Sequence, residues 1–132
     1  MISRRFFAGC AICDAGLTAT SARADAPTFK RTILNKIEQP GDTLVTVQVQ
    51  VDIDATSFVA AHTHPGVETA YILEGGGEFM MKGAANRKVG PGDTFQVPTD
   101  TPHALQNGAK ATKVLSIYVV DKARPLASPA TL

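Results

Sequence analysis

The sequence predicts an all-β domain, an antiparallel sandwich or barrel, from the hydrophobic period and the turn residues. From Thr43 to Ile53 apolar and polar residues alternate almost without fault, which is the pattern of a half-buried strand. Shorter runs of the same kind follow, and clusters of Gly, Pro and Asn separate them. Beyond residue 26 no segment has a convincing helical period, so many short strands are expected. The predicted strands are residues 31–37, 43–53, 57–60, 67–74, 78–82, 94–97 and 112–120.

The composition excludes several classes of protein. The chain has 132 residues, of which 44% are hydrophobic and 19% charged, and this fits one small globular domain. Thirteen Lys and Arg against twelve Asp and Glu give a net charge of +1. Nucleic acid is not an expected partner, because a phosphate-binding surface needs a basic excess. No apolar run approaches the roughly 18 residues that span a bilayer, so we expect a soluble protein without a membrane partner.

The first 26 residues have the three-part layout of an export signal. Arg4 and Arg5 precede a weakly apolar stretch that ends in small residues at Ala26. Paired arginines before a bulky apolar residue resemble the twin-arginine signal, which directs the export of folded proteins. We therefore predict a signal peptide over residues 1–26, a β-barrel domain over residues 27–132 and a periplasmic location. An amphipathic N-terminal helix is the alternative, because Asp14 is unusual within a signal core.

Both cysteines, Cys10 and Cys13, lie within this N-terminal segment. Their Cys-x-x-Cys spacing occurs in redox and metal pairs, but such pairs usually lie near a βαβ unit, which this sequence lacks. A lipoprotein signal that ends at Cys10 is excluded because no apolar core precedes it. We interpret the two cysteines as small apolar residues of the signal, so that the mature chain would contain none.

Two histidines and a carboxylate form the first candidate site. His62 and His64 are two residues apart, so on a strand their imidazoles point to the same face. After a Pro-Gly turn, Glu68 has the same parity and is expected to reach that face from the neighbouring strand. Two imidazoles and a carboxylate so arranged form half of a metal site. Two solvated histidines on an edge strand would have the same spacing.

The third histidine completes a longer pattern that resembles a known family. His62, His64, Glu68 and Gly75 have the spacing G-x5-H-x-H-x3,4-E-x6-G, and Gly92, Pro98, His103 and Asn107 have the spacing G-x5-P-x-G-x2-H-x3-N. These two strings resemble the paired motifs of the cupin superfamily. The resemblance covers residues 56–107, and the predicted strands on either side agree with it.

Two positions depart from the cupin pattern. Thr56 and Asp100 stand where the motifs have glycine, and both are turn positions rather than metal ligands. Asp tolerates a left-handed backbone better than most residues, so we expect Asp100 to hold its turn. For Thr56 we expect an ordinary strand-entry geometry, or else a strain that is offset elsewhere.

The resemblance implies an antiparallel double-stranded β-helix, or jelly-roll barrel, with a divalent transition metal on His62, His64, Glu68 and His103. Mn, Fe, Ni, Cu and Zn all suit three imidazoles and one carboxylate. Four protein ligands leave one or two positions for water, dioxygen or a substrate. Since similar cupins include dioxygenases, isomerases and lyases, the implied function is a metal-dependent enzyme acting on a small oxygenated molecule.

The alternative function is a non-catalytic periplasmic protein that binds a small molecule or a metal, and the resemblance implies a homodimer in either case. Asn107 is expected to steady the segment that presents His103. Gln96 and Met80 could face the cavity, whereas Tyr71 has the opposite parity to Glu68 and is expected in core or outer packing. No general base stands out beyond the metal ligands, so the residues leave the reaction open.

Overall fold

The fold is described from a computed structural model, which covers residues 28–132. The predicted signal peptide, its cleavage site, Cys10 and Cys13 all lie outside the described residues. In the described part, no helix has the length and apolarity needed to cross a membrane. The strands of this part are β1 (Phe29–Glu38), β2 (Leu44–Ile53), β3 (Phe58–Thr63), β4 (Gly66–Glu74), β5 (Gly77–Met81), β6 (Arg87–Val89), β7 (Thr94–Val97), β8 (His103–Asn107), β9 (Thr112–Asp121) and β10 (Ser128–Pro129).

The strands form two five-stranded sheets in which every pair is antiparallel. The first sheet has the order β1-β2-β9-β4-β7 and the second has the order β10-β3-β8-β5-β6. After β2 the chain passes repeatedly from one sheet to the other, which is how a jelly roll winds two sheets around one interior. The predicted all-β, antiparallel class is confirmed.

The core lies between the two sheets and follows from the alternation seen in the sequence. In β2 every second side chain is buried, and the residues between them are partly exposed. The buried set of β2 is Val45, Val47, Val49, Val51 and Ile53. Across the interior, Phe79 of β5 stacks on Phe95 of β7 with ring centroids 4.3 Å apart. The interior is therefore mainly apolar, with polar side chains around the histidines and at Asn107 and Thr112.

Three strands have no counterpart among the predicted ones. In β8 four of the five residues are buried, so its sequence lacks the alternation that identifies a half-buried strand. β6 and β10 contain three and two residues, which are too few to establish a period. The omission of β8 matters most, because this strand lies at the centre of the second sheet and begins with His103.

Both residues that replace a motif glycine have a left-handed backbone. The φ angles are 63° at Thr56 and 54° at Asp100, and no other non-glycine residue in the described range has a positive φ. Asp100 therefore holds its turn as expected, but the ordinary strand-entry geometry expected for Thr56 is wrong. A left-handed residue costs roughly 1–2 kcal/mol, and more for a β-branched side chain. Hydrogen bonds offset this strain, since Thr56 N–H donates to Gly108 O (2.8 Å) and Gln106 Nε2 donates to Thr56 O (3.1 Å).

Candidate metal centre

The three histidines converge in the interior between the sheets. His62 lies near the end of β3, His64 directly follows that strand, and His103 begins β8 in register with His62. Their ring centroids are 4.2 to 5.1 Å apart, and one nitrogen of each ring lies within 4.8 Å of the others. His64 and His103 are buried, whereas His62 is half-buried.

Glu68 approaches the histidines from the other sheet. Its Oε2 lies 3.2 Å from His64 Nε2 and 3.1 Å from His103 Nε2. β3 and β4 belong to different sheets, so the prediction that Glu68 lies on the same sheet face as the histidines is wrong. The parity of Glu68 on β4 is nevertheless inward, and the four side chains meet across the interior.

Each imidazole is oriented by a backbone carbonyl. The contacts are His62 Nδ1 with Ala60 O (2.8 Å), His64 Nδ1 with Leu126 O (2.6 Å) and His103 Nδ1 with Thr101 O (3.1 Å). A carbonyl oxygen only accepts hydrogen bonds, so these contacts assign the proton to Nδ1 in all three rings. In a neutral imidazole this leaves the lone pair on Nε2, which is then free to bind a metal.

Three buried atoms at the centre of the site have no hydrogen-bond partner among the described residues: His64 Nε2, His103 Nε2 and Glu68 Oε2. With the imidazole protons on Nδ1, these atoms are all acceptors, and acceptors at 3.1 to 3.2 Å repel each other unless a proton or a cation lies between them. A buried unpaired polar atom costs about 1–3 kcal/mol. A divalent cation would remove this cost, so the donor set fits a transition metal.

The electrostatics favour the charge states that metal binding requires. Burial raises the pKa of the Glu68 carboxyl, but the His103 and His64 imidazoles, when they are protonated on Nε2, donate hydrogen bonds to it and hold this pKa below its usual range. Burial is the main cause that lowers the pKa of His62 to about 4; the charges of the other two histidines and of Arg31 act in the same direction, against the hydrogen bond to Ala60 O. At neutral pH Glu68 is therefore ionised and His62 is neutral.

A cavity of about 50 Å³ adjoins His62, Glu68 and His103. A space of this size admits a few water molecules or the reacting end of a small molecule. A second cavity, of about 280 Å³, also adjoins His62. The lining of both cavities is mainly apolar, and no methionine contributes to it. The apolar residues of the first cavity are Val51, Ile53, Val59, Phe79, Phe95, Ala104, Leu105 and Val114.

Three polar residues of this cavity were absent from the sequence prediction. Ser116 and Tyr118 lie on the inward face of β9, and Tyr118 is directly opposite Glu68. The Ser116 hydroxyl donates to Glu68 Oε1 at 2.8 Å. The alternation of residues 112–120 carried enough signal to find both. Arg31 on β1 is the third; it lies opposite the buried Val51, a pairing that the structure shows and the sequence does not.

The other cavity candidates from the sequence lie elsewhere. Gln96 is exposed, and its Nε2 donates to the Thr69 hydroxyl at 3.2 Å. Met80 lines neither cavity. Tyr71 is 44% exposed, which agrees with outer packing. None of the three contributes to the site around the histidines.

Asn107 ties the far end of β8 to its surroundings. Its Nδ2 donates to the carbonyl oxygens of Asp54 (2.7 Å), Lys110 (3.1 Å) and Ile53 (3.4 Å). Its Oδ1 accepts from the Thr112 hydroxyl. The side chain is buried with these bonds made, so it stabilises the strand that carries His103, as the motif suggested.

The comparisons with known proteins agree with this geometry. The Cupin domain family matches residues 49–118. A stretch of 56 residues is 46% identical to dimethylsulfoniopropionate lyase DddQ of Ruegeria pomeroyi, and it covers 42% of this chain and 28% of that protein. The crystal structure of DddQ from the same organism has a TM-score of 0.66 and 28% identity, over 78% of this chain and 52% of that one. This chain thus spans about half the length of that structure.

More distant structures have the same fold. A Klebsiella pneumoniae protein with a double-stranded β-helix domain has a TM-score of 0.66 and 16% identity, over 83% of this chain and 90% of that one. Salicylate 1,2-dioxygenase from Pseudaminobacter salicylatoxidans has a TM-score of 0.57 and 24% identity, over 71% of this chain and 27% of that one. The double-stranded β-helix implied by the two motifs is therefore confirmed. Because the family match covers more than half of the chain, the protein belongs to the cupin domain family.

Proposed function

We propose that the protein is a metal-dependent cupin enzyme of lyase type that acts on a small oxygenated organic molecule. In this proposal His62, His64, Glu68 and His103 hold one divalent transition metal, chosen from Mn, Fe, Ni, Cu and Zn. The observation that carries the proposal is the set of buried, unpartnered acceptor atoms contributed by both sheets. With the imidazole protons held on Nδ1 by backbone carbonyls, these atoms are satisfied only by an added proton or a cation.

The surroundings of the four side chains suit a reactive centre better than a closed structural one. When bound, the ion would supply a Lewis acid that polarises an oxygen atom of the substrate. The backbone carbonyls behind the imidazoles and the Ser116 hydroxyl behind Glu68 hold the ligands in place. The apolar walls of the adjoining cavity exclude water, which strengthens electrostatic interactions inside it.

Tyr118 is the group best placed to bind an oxygen atom of the substrate. It is 2% exposed and lines the cavity beside Glu68. Burial and the neighbouring Glu68 charge raise the pKa of its hydroxyl above the usual range. The phenol therefore stays protonated at neutral pH and is available to donate a hydrogen bond.

The lyase type is favoured over other cupin chemistries by a relative that is 46% identical over 56 residues. This 56-residue stretch of the chain matches part of a protein whose name describes a lyase acting on dimethylsulfoniopropionate. Because this stretch covers 28% of that protein, its activity comes to this chain only as a proposal. Dimethylsulfoniopropionate is accordingly the first compound to test.

The test is turnover by the purified, metal-loaded protein. We expect cleavage of dimethylsulfoniopropionate or of a related small acid, without oxygen uptake. A parallel panel of catechols, flavonols, enediols and small keto acids, with oxygen uptake recorded, would identify a dioxygenase instead. Thermal shifts by these compounds without turnover would favour the non-catalytic binding protein. Gln96→Ala serves as the matched control for ligand variants, because Gln96 is exposed and lines neither cavity.

We further propose that the N-terminal segment exports the chain to the periplasm and that the mature protein is a homodimer. The paired Arg4 and Arg5 support export. Exposed apolar side chains on the edge strand β1, at Ile33, Leu34 and Ile37, support self-association. N-terminal sequencing of periplasmic protein and its mass by light scattering test these two proposals separately.

A further inference from the structure

Arg31 places a positive charge in the wall of an otherwise apolar interior. It lies directly opposite Val51 in the β1–β2 pair, and Val51 is buried. Residues directly opposite each other in an antiparallel pair point to the same face, so Arg31 points inward. It lines both the cavity beside the histidines and the second, larger cavity.

The Arg31 guanidinium has no anionic partner among residues 28–132. Its Nε is buried without a hydrogen-bond partner, and none of the ion pairs formed by the described residues includes it. Glu68 is the only carboxylate that lines either cavity, and none of its contacts is with Arg31. A partly desolvated charge without a partner is unfavourable, so this side chain is arranged for an anion that comes from outside.

The orientation of the guanidinium is held by an aromatic ring. Its central carbon lies 4.7 Å from the centroid of the Phe29 ring, within the range of a cation–π contact. Because Phe29 also borders the second cavity, the ring and the guanidinium form one wall of it. Such a fixed, planar group presents parallel N–H donors that match the two oxygens of a carboxylate.

We propose that Arg31 binds the carboxylate of a small organic acid whose other end reaches the histidine cluster. The larger cavity, about 280 Å³, would hold the body of the acid, and His62 borders both cavities along the way. A carboxylate is favoured over a phosphate because no second Lys or Arg lines either cavity. The placement of the other end of the acid at the histidine cluster rests on the proposed function, whereas binding of the carboxylate by Arg31 does not require the metal.

The test compares the binding of propionate, propionamide and inorganic phosphate to the full chain by NMR titration. For Arg31→Gln we expect propionate to bind at least tenfold more weakly, about 1.4 kcal/mol, with propionamide unchanged. Lys30→Gln is the matched control, since it removes the same charge from the adjacent, exposed position that pairs with Asp52. The propionate affinity of Lys30→Gln should stay within twofold of that of the unsubstituted protein. Equal propionate binding by Arg31→Gln and the unsubstituted protein, or a preference for phosphate, would overturn the proposal.

A second measurement separates this proposal from the metal centre and does not depend on a variant that folds. The Arg31 Nε–H resonance of the unsubstituted protein should shift on adding propionate and stay in place on adding propionamide. Both results should persist after treatment with EDTA. Loss of propionate binding on metal removal, with no shift at Arg31, would mean that the metal alone holds the carboxylate and would overturn the proposal. A protein that never binds metal would refute the proposed function but leave the Arg31 result intact.

Discussion

The two ends of strand β8 carry buried polar clusters that differ in one respect. At the far end, Asn107 makes hydrogen bonds to three carbonyl oxygens and to Thr112, so its amide is fully partnered. At the near end, His103 meets Glu68 through atoms that both accept. Proteins tolerate buried polar groups when these are hydrogen-bonded, so a structural role accounts for the Asn107 cluster. The second cluster requires a proton or a cation between its acceptor atoms, which makes it the candidate functional end of the strand.

The largest expected effect is the loss of metal on changing Glu68→Gln. The amide supplies a neutral oxygen and N–H donors that can bond to the unprotonated imidazole nitrogens, so the repulsion is relieved without a cation. We expect metal affinity to fall by more than about 100-fold, beyond the usual effect of an outer-sphere change, and turnover to disappear. Elemental analysis of the purified variant and of Gln96→Ala measures this. Retained metal in Glu68→Gln would exclude Glu68 as a ligand.

Removal of the metal should destabilise the unsubstituted protein in proportion to how tightly the ion is bound. A ligand present at about 1,000 times its Kd adds about 4 kcal/mol to the free energy of unfolding. Urea denaturation with metal and with excess EDTA gives the difference. Glu68→Gln should show no such difference. A metal dependence that survives in this variant would place the ion elsewhere.

Asn107→Ala should destabilise the protein by about 3 kcal/mol, because three carbonyl oxygens and the Thr112 hydroxyl lose their shared partner. This loss should be the same with metal and with EDTA, since the defect lies at the opposite end of β8. The same urea experiment measures it. A loss that appears only in the metal-bound protein would contradict a purely structural role for this end.

The smallest effects are expected at the two left-handed turns that flank these clusters. Thr56→Gly should stabilise the protein by about 1 kcal/mol, because glycine adopts a positive φ without strain. Asp100→Gly should gain less, since it also loses the contact of Asp100 with the Arg124 guanidinium, at 2.8 and 3.2 Å. Thermal unfolding of both variants provides the comparison. Destabilisation by Thr56→Gly would mean that its side chain contributes more than the backbone strain costs.

The agreement between sequence and structure was uneven for physical reasons. Strands with one buried face, such as β2 and β9, alternate in sequence and were predicted nearly to their ends. β8 was missed because both of its faces are largely buried. The histidines and Glu68 were found because the spacing of residues within each motif depends on the local backbone conformation. Arg31 was missed because nothing in its own segment indicates which cavity it faces.

The sequence by itself determined the antiparallel class and the grouping of His62, His64 and Glu68, which depend on the period of two and on short spacings that act over a few residues. The fourth side chain, His103, came from the resemblance to the cupin motifs. Only the tertiary structure decided that Glu68 comes from the opposite sheet, that Leu126 orients His64 from 62 residues away, and that Arg31 faces the same interior. Such contacts depend on how the two sheets close over each other, and no local pattern in the chain encodes that closure.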